Sequence, residues 1–161
     1  MTAGPGAAVT SAAPEWLTES EMVAWLPLVH LVTLLPQHLD KQLREDAGIG
    51  HVYYQVLAML SDAPGQELRM GELARCTGTS LSRLSHAVTA LERRGWVARC
   101  AAEQDRRGQV AQLTAAGRAL LEQTAPGHVA EVRRLVFDRL TGDEVDQLRR
   151  LTRKLGESPS R

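Results

Sequence analysis

The most regular alternation of apolar and polar positions in the chain lies between residues 81 and 94, where Leu81, Leu84, Ala87, Val88 and Leu91 recur at helical spacing. That spacing predicts an amphipathic helix whose opposite face carries Ser82, His86, Thr89 and Arg93, with Glu92 on its flank. Gly95 is placed to cap its C-terminal end, and Trp96 and Val97 begin an extended run to Ala101. A polar loop ending Asp105-Arg106-Arg107-Gly108 then leads into a second extended run, Gln109 to Leu113. Upstream, Met70 to Cys76 has apolar residues at Met70, Leu73 and Ala74, and Thr77-Gly78-Thr79 supplies a short turn. Two short helices around a glycine turn, followed by a hairpin with a basic tip, describe a winged helix-turn-helix.

The flanking segments read as helices. Residues 1–14 are Met, Ala, Gly, Val, Thr, Ser and Pro without charge, a composition expected to be a disordered tail, and they lack the basic start and apolar core of an export signal. Thr18 and Glu21 form a capping box at the start of a first helix. From Met22 to Leu43 the chain is rich in apolar residues, and Pro27, His30, Pro36, Gln37 and His38 interrupt it. The uninterrupted stretch is shorter than the ~20 residues a membrane crossing needs, so the expectation is a helix buried between its own domain and a partner subunit, bent at its prolines. Gly48 and Gly50 precede a second helix, Val52 to Asp62, with Val56, Leu57, Met59 and Leu60 inward, and Ala63-Pro64-Gly65 ends it. Beyond the hairpin, Thr114 caps a helix carrying Leu120 and Leu121 that Ala125-Pro126-Gly127 is expected to interrupt before Val129, Val132, Leu135, Val136 and Leu140. Thr141-Gly142-Asp143-Glu144 is a second capping box, opening a helix with Val145, Leu148, Leu151 and Leu155.

The reading is mainly α (α+β): a tail at 1–14, an N-terminal dimerisation helix at 15–48, a winged helix-turn-helix at 49–117 and C-terminal dimerisation helices at 118–157. Two-fold pairing of the terminal helices places two reading heads about one helical turn of duplex apart. Long apolar stripes at both ends of one chain also suit an intramolecular bundle.

Composition changes little. A chain of 161 residues is one domain by size, and a core with one Phe, two Tyr and three Trp has to be built from Leu, Val and Ala. Charge changes more. The formal net charge is zero, yet residues 80 to 107 hold six arginines against three acids, whereas residues 15 to 62 hold Lys41 and Arg44 against seven acids. A basic reading head on an otherwise acidic chain has the local field that a nucleic-acid binder needs.

The chemistry of the polar helix face agrees. Ser80, Ser82, Ser85 and His86 lie toward the helix N-terminus, where a recognition helix meets bases, with Thr89 and Arg93 further along and Arg83 on the flank facing a phosphate or an internal salt bridge. A solvated helix face has the same composition, and it is the adjoining hairpin that favours DNA contact. Arg107 is the candidate for insertion into a minor groove, with Asp105 holding its guanidinium and Arg106 on a phosphate.

These segments resemble the MarR (multiple antibiotic resistance regulator) family. The matching residues are Gly71-Glu72-Leu73-Ala74, Ser82-Arg83-Leu84-Ser85-His86, Leu91-Glu92-Arg93-Arg94-Gly95-Trp96-Val97, Asp105-Arg106-Arg107-Gly108 and Leu113-Thr114-Ala115-Ala116-Gly117. The resemblance implies a dimeric cytoplasmic regulator of transcription, nucleoid-associated when on its operator. Such regulators often act as repressors and are released by a small ligand or by oxidation. It implies a third small strand at Glu67 to Arg69. It also points to an effector pocket in the crevice between dimerisation helices and reading head, for which Trp25, Val29, His51 and Tyr54 are the candidates for a small aromatic or lipophilic molecule. Many members carry Arg where His86 stands, so guanine reading at that position is not carried over.

No phosphate-cradling glycine loop, metal-hydrolase pairing or nucleophile elbow points to an enzyme or a cofactor. The histidines at 30, 38, 51, 86 and 128 show no ligand spacing for a metal. Cys76 and Cys100 are expected to be buried, inert thiols, since peroxide-sensing relatives place the reactive cysteine near the dimerisation helices. The alternatives to a ligand-responsive DNA-binding repressor are a redox- or metal-switched regulator on the same scaffold, and a winged-helix protein-interaction module.

Overall fold

The structure, a computed structural model, describes residues 16–102 and 105–156. The expected tail at 1–14, residues 103 and 104, and the side chains of Asp105, Arg106 and Arg107 lie outside the described residues.

Helix α1 (Glu19–Ala47) opens at Thr18, whose N–H and hydroxyl donate to Glu21 Oε2 at 2.7 and 2.8 Å, while the Glu21 N–H donates to Thr18 Oγ1 at 3.3 Å. This reciprocal bonding is the expected capping box. The helix then runs unbroken through Pro27 and Pro36. Two compact units divide within α1, the first ending at Leu34 and the second beginning at Leu35. In the first unit the apolar side chains of α1 are exposed, Trp25 at 50% and Leu26 at 61%. By length and composition α1 is long and apolar enough to cross a membrane.

The second unit contains the winged helix-turn-helix. Leu39 and Leu43 of α1 are buried in it, and after a turn at Gly48 to Gly50 comes α2 (His51–Asp62), which buries Tyr54, Val56, Leu57 and Leu60. Met59, expected to face inward, is only partly buried. A short 3₁₀ turn leads into strand β1 (Glu67–Arg69), then α3 (Met70–Cys76), α4 (Leu81–Arg93), β2 (Val97–Ala102) and β3 (Asp105–Leu113). The three strands form an antiparallel sheet in the order β1-β3-β2, with Leu68 opposite Ala111 and Val97 opposite Leu113. Helix α5 (Ala115–Leu135), a 3₁₀ turn (Phe137–Arg139) and α6 (Gly142–Gly156) complete the chain. At α6 the Thr141 N–H donates to Glu144 Oε2 at 2.8 Å, so the second capping box also forms.

Leu73 of α3 and Leu84, Val88 and Leu91 of α4 close against Leu57 and Leu60 of α2, the sheet residues Val97 and Ala111, and Leu121 of α5. Each of these leucines is almost wholly buried except Leu121, and each full burial contributes about 1.5–3 kcal/mol before chain entropy is counted. One expected member is missing. Leu81, at the first turn of α4, is 55% exposed, because a side chain at a helix start overhangs the preceding turn rather than the core.

Two boundaries differ from the sequence expectation. The hairpin is longer than read, with Asp105 to Gly108 already within β3 rather than in the loop. And α5 is not interrupted at Ala125-Pro126-Gly127. Pro126 removes one helical hydrogen bond, but the residues on either side are anchored by tertiary contacts: Thr124 is buried, and buried His128 places Nδ1 3.2 Å from Gln42 Oε1 of α1. Those contacts hold the helix across the missing bond.

Candidate nucleic-acid interface

Helix α4 is fixed at both ends by local chemistry. Ser80 is its N-cap, accepting the Arg83 N–H at 3.3 Å. At the other end Arg94 is the C-cap, and Gly95 follows with φ +71°, a left-handed conformation glycine adopts without strain. The Gly95 N–H bonds the Glu92 carbonyl and the Trp96 N–H the Leu91 carbonyl, a glycine-terminated turn that directs the chain into β2.

Burial of Leu84, Ala87, Val88 and Leu91 leaves Ser80, Ser82, Arg83, His86 and Arg93 exposed. Ser85 and Thr89 behave differently. Arg99 of β2 donates through Nη2 to the Ser85 carbonyl at 2.8 Å and to Thr89 Oγ1 at 3.0 Å, and its Nη1 lies 3.3 Å from Glu92 Oε2. Thr89 also donates its hydroxyl to the Ser85 carbonyl at 2.8 Å. Both residues are half-buried and their polar atoms are occupied within the protein, so the outward face is narrower than the sequence alone suggests. Sequence reasoning missed Arg99, whose only signal was being a lone cation in an otherwise apolar strand.

The segment joining the hairpin to α5 explains another motif. Thr114 Oγ1 donates to the Gly95 carbonyl at 2.7 Å and accepts the Gly117 N–H at 3.0 Å, so one hydroxyl caps α5 and ties it to the end of α4. A Cβ on Gly117 would stand 2.1 Å from the Trp96 carbonyl oxygen, which is why no side chain fits there. The Leu113-Thr114-Ala115-Ala116-Gly117 segment is therefore structural and sets the hairpin against the helices.

The candidate effector residues fall into both units. Trp25 and Val29 lie in the first, 50% and 37% exposed. His51 and Tyr54 lie in the second, where they meet His128 of α5, whose ring centroid is 4.2 Å from that of Tyr54 and 6.0 Å from that of His51. The His51 backbone N–H donates to Asp40 Oδ1 at 2.8 Å. Burial lowers the pKa of both histidines, with Asp40 partly opposing this at His51 and the neighbouring His51 adding to it at His128. Burial raises that of Tyr54, and Asp62 adds to the effect. The expectation of buried thiols is overturned: Cys76, at the solvent-facing end of α3, and Cys100, outward on β2, are both exposed. A helix end and the open face of a three-stranded sheet leave these positions uncovered.

A model of the MarR family matches residues 47–108. The chain is 47% identical to Sco3205, a MarR family transcriptional regulator from Streptomyces coelicolor crystallised in complex with DNA, with a TM-score of 0.86 over 92% of this chain and 94% of that one. The chain belongs to the MarR family. AbsC, a second MarR family regulator from Streptomyces coelicolor, is 37% identical with a TM-score of 0.83, over 89% of this chain and 97% of that one. The HTH-type transcriptional repressor Rv2887 of Mycobacterium tuberculosis is 38% identical over 101 residues, 62% of this chain and 70% of the relative. These relatives are named as regulators of transcription.

Proposed function

We propose that this MarR-family chain is a DNA-binding regulator of transcription, acting as a homodimeric repressor on a pseudo-palindromic duplex. The observation that carries the reading is the split of α4 into a face buried at Leu84, Ala87, Val88 and Leu91 and an exposed face of Ser82, Arg83, His86 and Arg93, beside a β-hairpin. Hydroxyls, an imidazole and guanidiniums with no carboxylate among them suit base edges and phosphates in a major groove. In this reading Ser80 borders the bases, Ser85 and Thr89 shape the helix through Arg99, and Asp105, Arg106 and Arg107 bring the hairpin to the flanking minor groove. The crystallisation of Sco3205 with DNA and the naming of Rv2887 as a repressor support it.

The exposed apolar side chains of α1 up to Leu34 in the first unit, and separately Leu151 and Leu155 of α6 in the second, are apolar surfaces for a second copy to cover. A small aromatic or lipophilic effector releases the DNA by binding the wrongly spaced dimer better. A regulator of this kind works in the cytoplasm. The test is a mobility shift on duplex from the protein's own promoter region across a salt series, beside His86→Ala. Binding that weakens with salt and in the variant supports the reading. A well-folded dimer that binds no duplex favours a protein partner for the winged helix instead.

A further inference from the structure

A cleft of about 510 Å³ runs along one flank of α4. Arg83 and His86 line it from α4, Arg94 from the C-cap, Asp40 and Arg44 from the end of α1, and Tyr53 from α2. Its charge is unbalanced. Three guanidiniums face one carboxylate, and that carboxylate is fully used: Asp40 Oδ2 receives Arg44 Nε at 2.6 Å and Oδ1 receives the His51 N–H at 2.8 Å. Those two bonds hold the Asp40 carboxyl below the usual carboxylate range, so it stays charged and bound to Arg44. Arg83 and Arg94 form no ion pair among the described residues, and the Arg94 guanidinium is instead stacked 5.0 Å from the Trp96 ring centroid and 5.8 Å from that of Tyr53. Stacking holds the fork in place without neutralising it.

We propose that this cleft seats backbone phosphates of the duplex beside the bases that α4 reads, with Arg94, to which the sequence reading gave no DNA contact, and Tyr53 as donors. The proposal rests on the reading of α4 as the recognition helix. Arg83 and His86 belong both to the exposed face of α4 and to the cleft, so a duplex lying on that face has its backbone at the cleft mouth. A phosphodiester matches two guanidiniums without an ion pair among the described residues, one of them held by stacking, better than a neutral ligand does. Arg83 and Arg94 are separated by eleven residues, about 16 Å at the helical rise, so they engage different phosphates and their contributions are independent. Phosphate contacts of this kind position the protein without reading sequence.

The test uses the full chain and a labelled duplex titrated at salt concentrations from about 50 to 200 mM, comparing wild type with Arg94→Gln, Arg94→Lys and Tyr53→Phe. Arg94→Gln is expected to lower the slope of log affinity against log salt by about 0.9, the value for one phosphate contact, and to weaken operator and scrambled duplex by the same factor. Arg94→Lys keeps the charge but loses the stacking, so its slope stays at the wild-type value. Tyr53→Phe loses several-fold affinity at every salt concentration with its slope unchanged. A slope retained in Arg94→Gln, or lost equally in Arg94→Lys, overturns the cleft while leaving α4 as the reading element. A wild type that binds no duplex, or binds without salt dependence, overturns both.

Discussion

Arg99 and Ser85 are joined by a 2.8 Å bond from Nη2 of the guanidinium to the main-chain carbonyl, which ties strand β2 to the middle of helix α4 across fourteen residues of sequence. The same guanidinium reaches Thr89 and Glu92, and its Nε is buried without a partner among the described residues. Replacing Arg99 by Ala removes the clasp and is expected to lower stability by about 1.5–3 kcal/mol, the range for hydrogen bonds to a charged group. Because α4 then loses its polar clasp to the hairpin, DNA affinity should fall by more than a surface arginine would cost. Denaturant unfolding and a mobility shift on the same preparation check both. A variant with wild-type stability would show that the clasp contributes nothing net.

Gly117 and the Trp96 carbonyl make a second prediction. A methyl group at 2.1 Å from a backbone oxygen cannot be absorbed by a side-chain rotation, so Gly117→Ala has to shift α5 or the end of α4. A loss of about 1–3 kcal/mol or more is expected from such overpacking. Gly71, with open space around its Cβ position on the exposed face of α3, is the control, and Gly71→Ala should be neutral or stabilising by about 0.4–1 kcal/mol. Equal melting temperatures for the two variants would contradict the packing described.

The cluster of His51, Tyr54 and His128 predicts a pH dependence with a definite sign. Both imidazoles have a folded pKa below the ordinary 6.5, so the unfolded chain binds protons more readily than the folded one. Stability from these groups is therefore complete above about pH 6.5 and falls as the pH drops toward their folded values. Asp40 and Glu21, whose carboxyls are held below their ordinary range by hydrogen bonds, lose their contribution only at lower pH, below about 4.5. Thermal melts from pH 7.5 to 5 should show the first decline in wild type, and His51→Gln with His128→Gln should flatten it. A decline of the same size in the double variant would assign it elsewhere.

Exposure of Cys76 and Cys100 predicts that both thiols react with a thiol reagent in the folded protein without denaturant. Two equivalents released rapidly would agree with the structure. None before unfolding would restore the buried reading. If full alkylation leaves DNA affinity unchanged, a redox switch at these positions is excluded.

What the residues determined by themselves is what depends on neighbours within a turn or two. The capping boxes at Thr18 and Thr141 formed as read, because a Ser or Thr and a Glu three positions apart meet wherever a helix starts. The burial of Leu84, Ala87, Val88 and Leu91 on α4, though not of Leu81, followed from periodicity, as did the helix-turn-helix and the hairpin after it. The resemblance supplied strand β1, whose three residues carry too little pattern to be seen otherwise.

Tertiary structure decided the rest. Whether Ser85 and Thr89 face solvent or a guanidinium depended on Arg99 arriving from another element, and whether α5 survives Pro126 depended on a contact between His128 and Gln42, 86 positions apart. The cleft beside α4 draws its arginines from three separate places in the chain, and the two thiols are exposed because nothing in the described chain packs over them. Local hydrogen bonds and periodic burial are short-range and so are written in spacing, whereas a contact between distant side chains exists only once the core has brought its elements together.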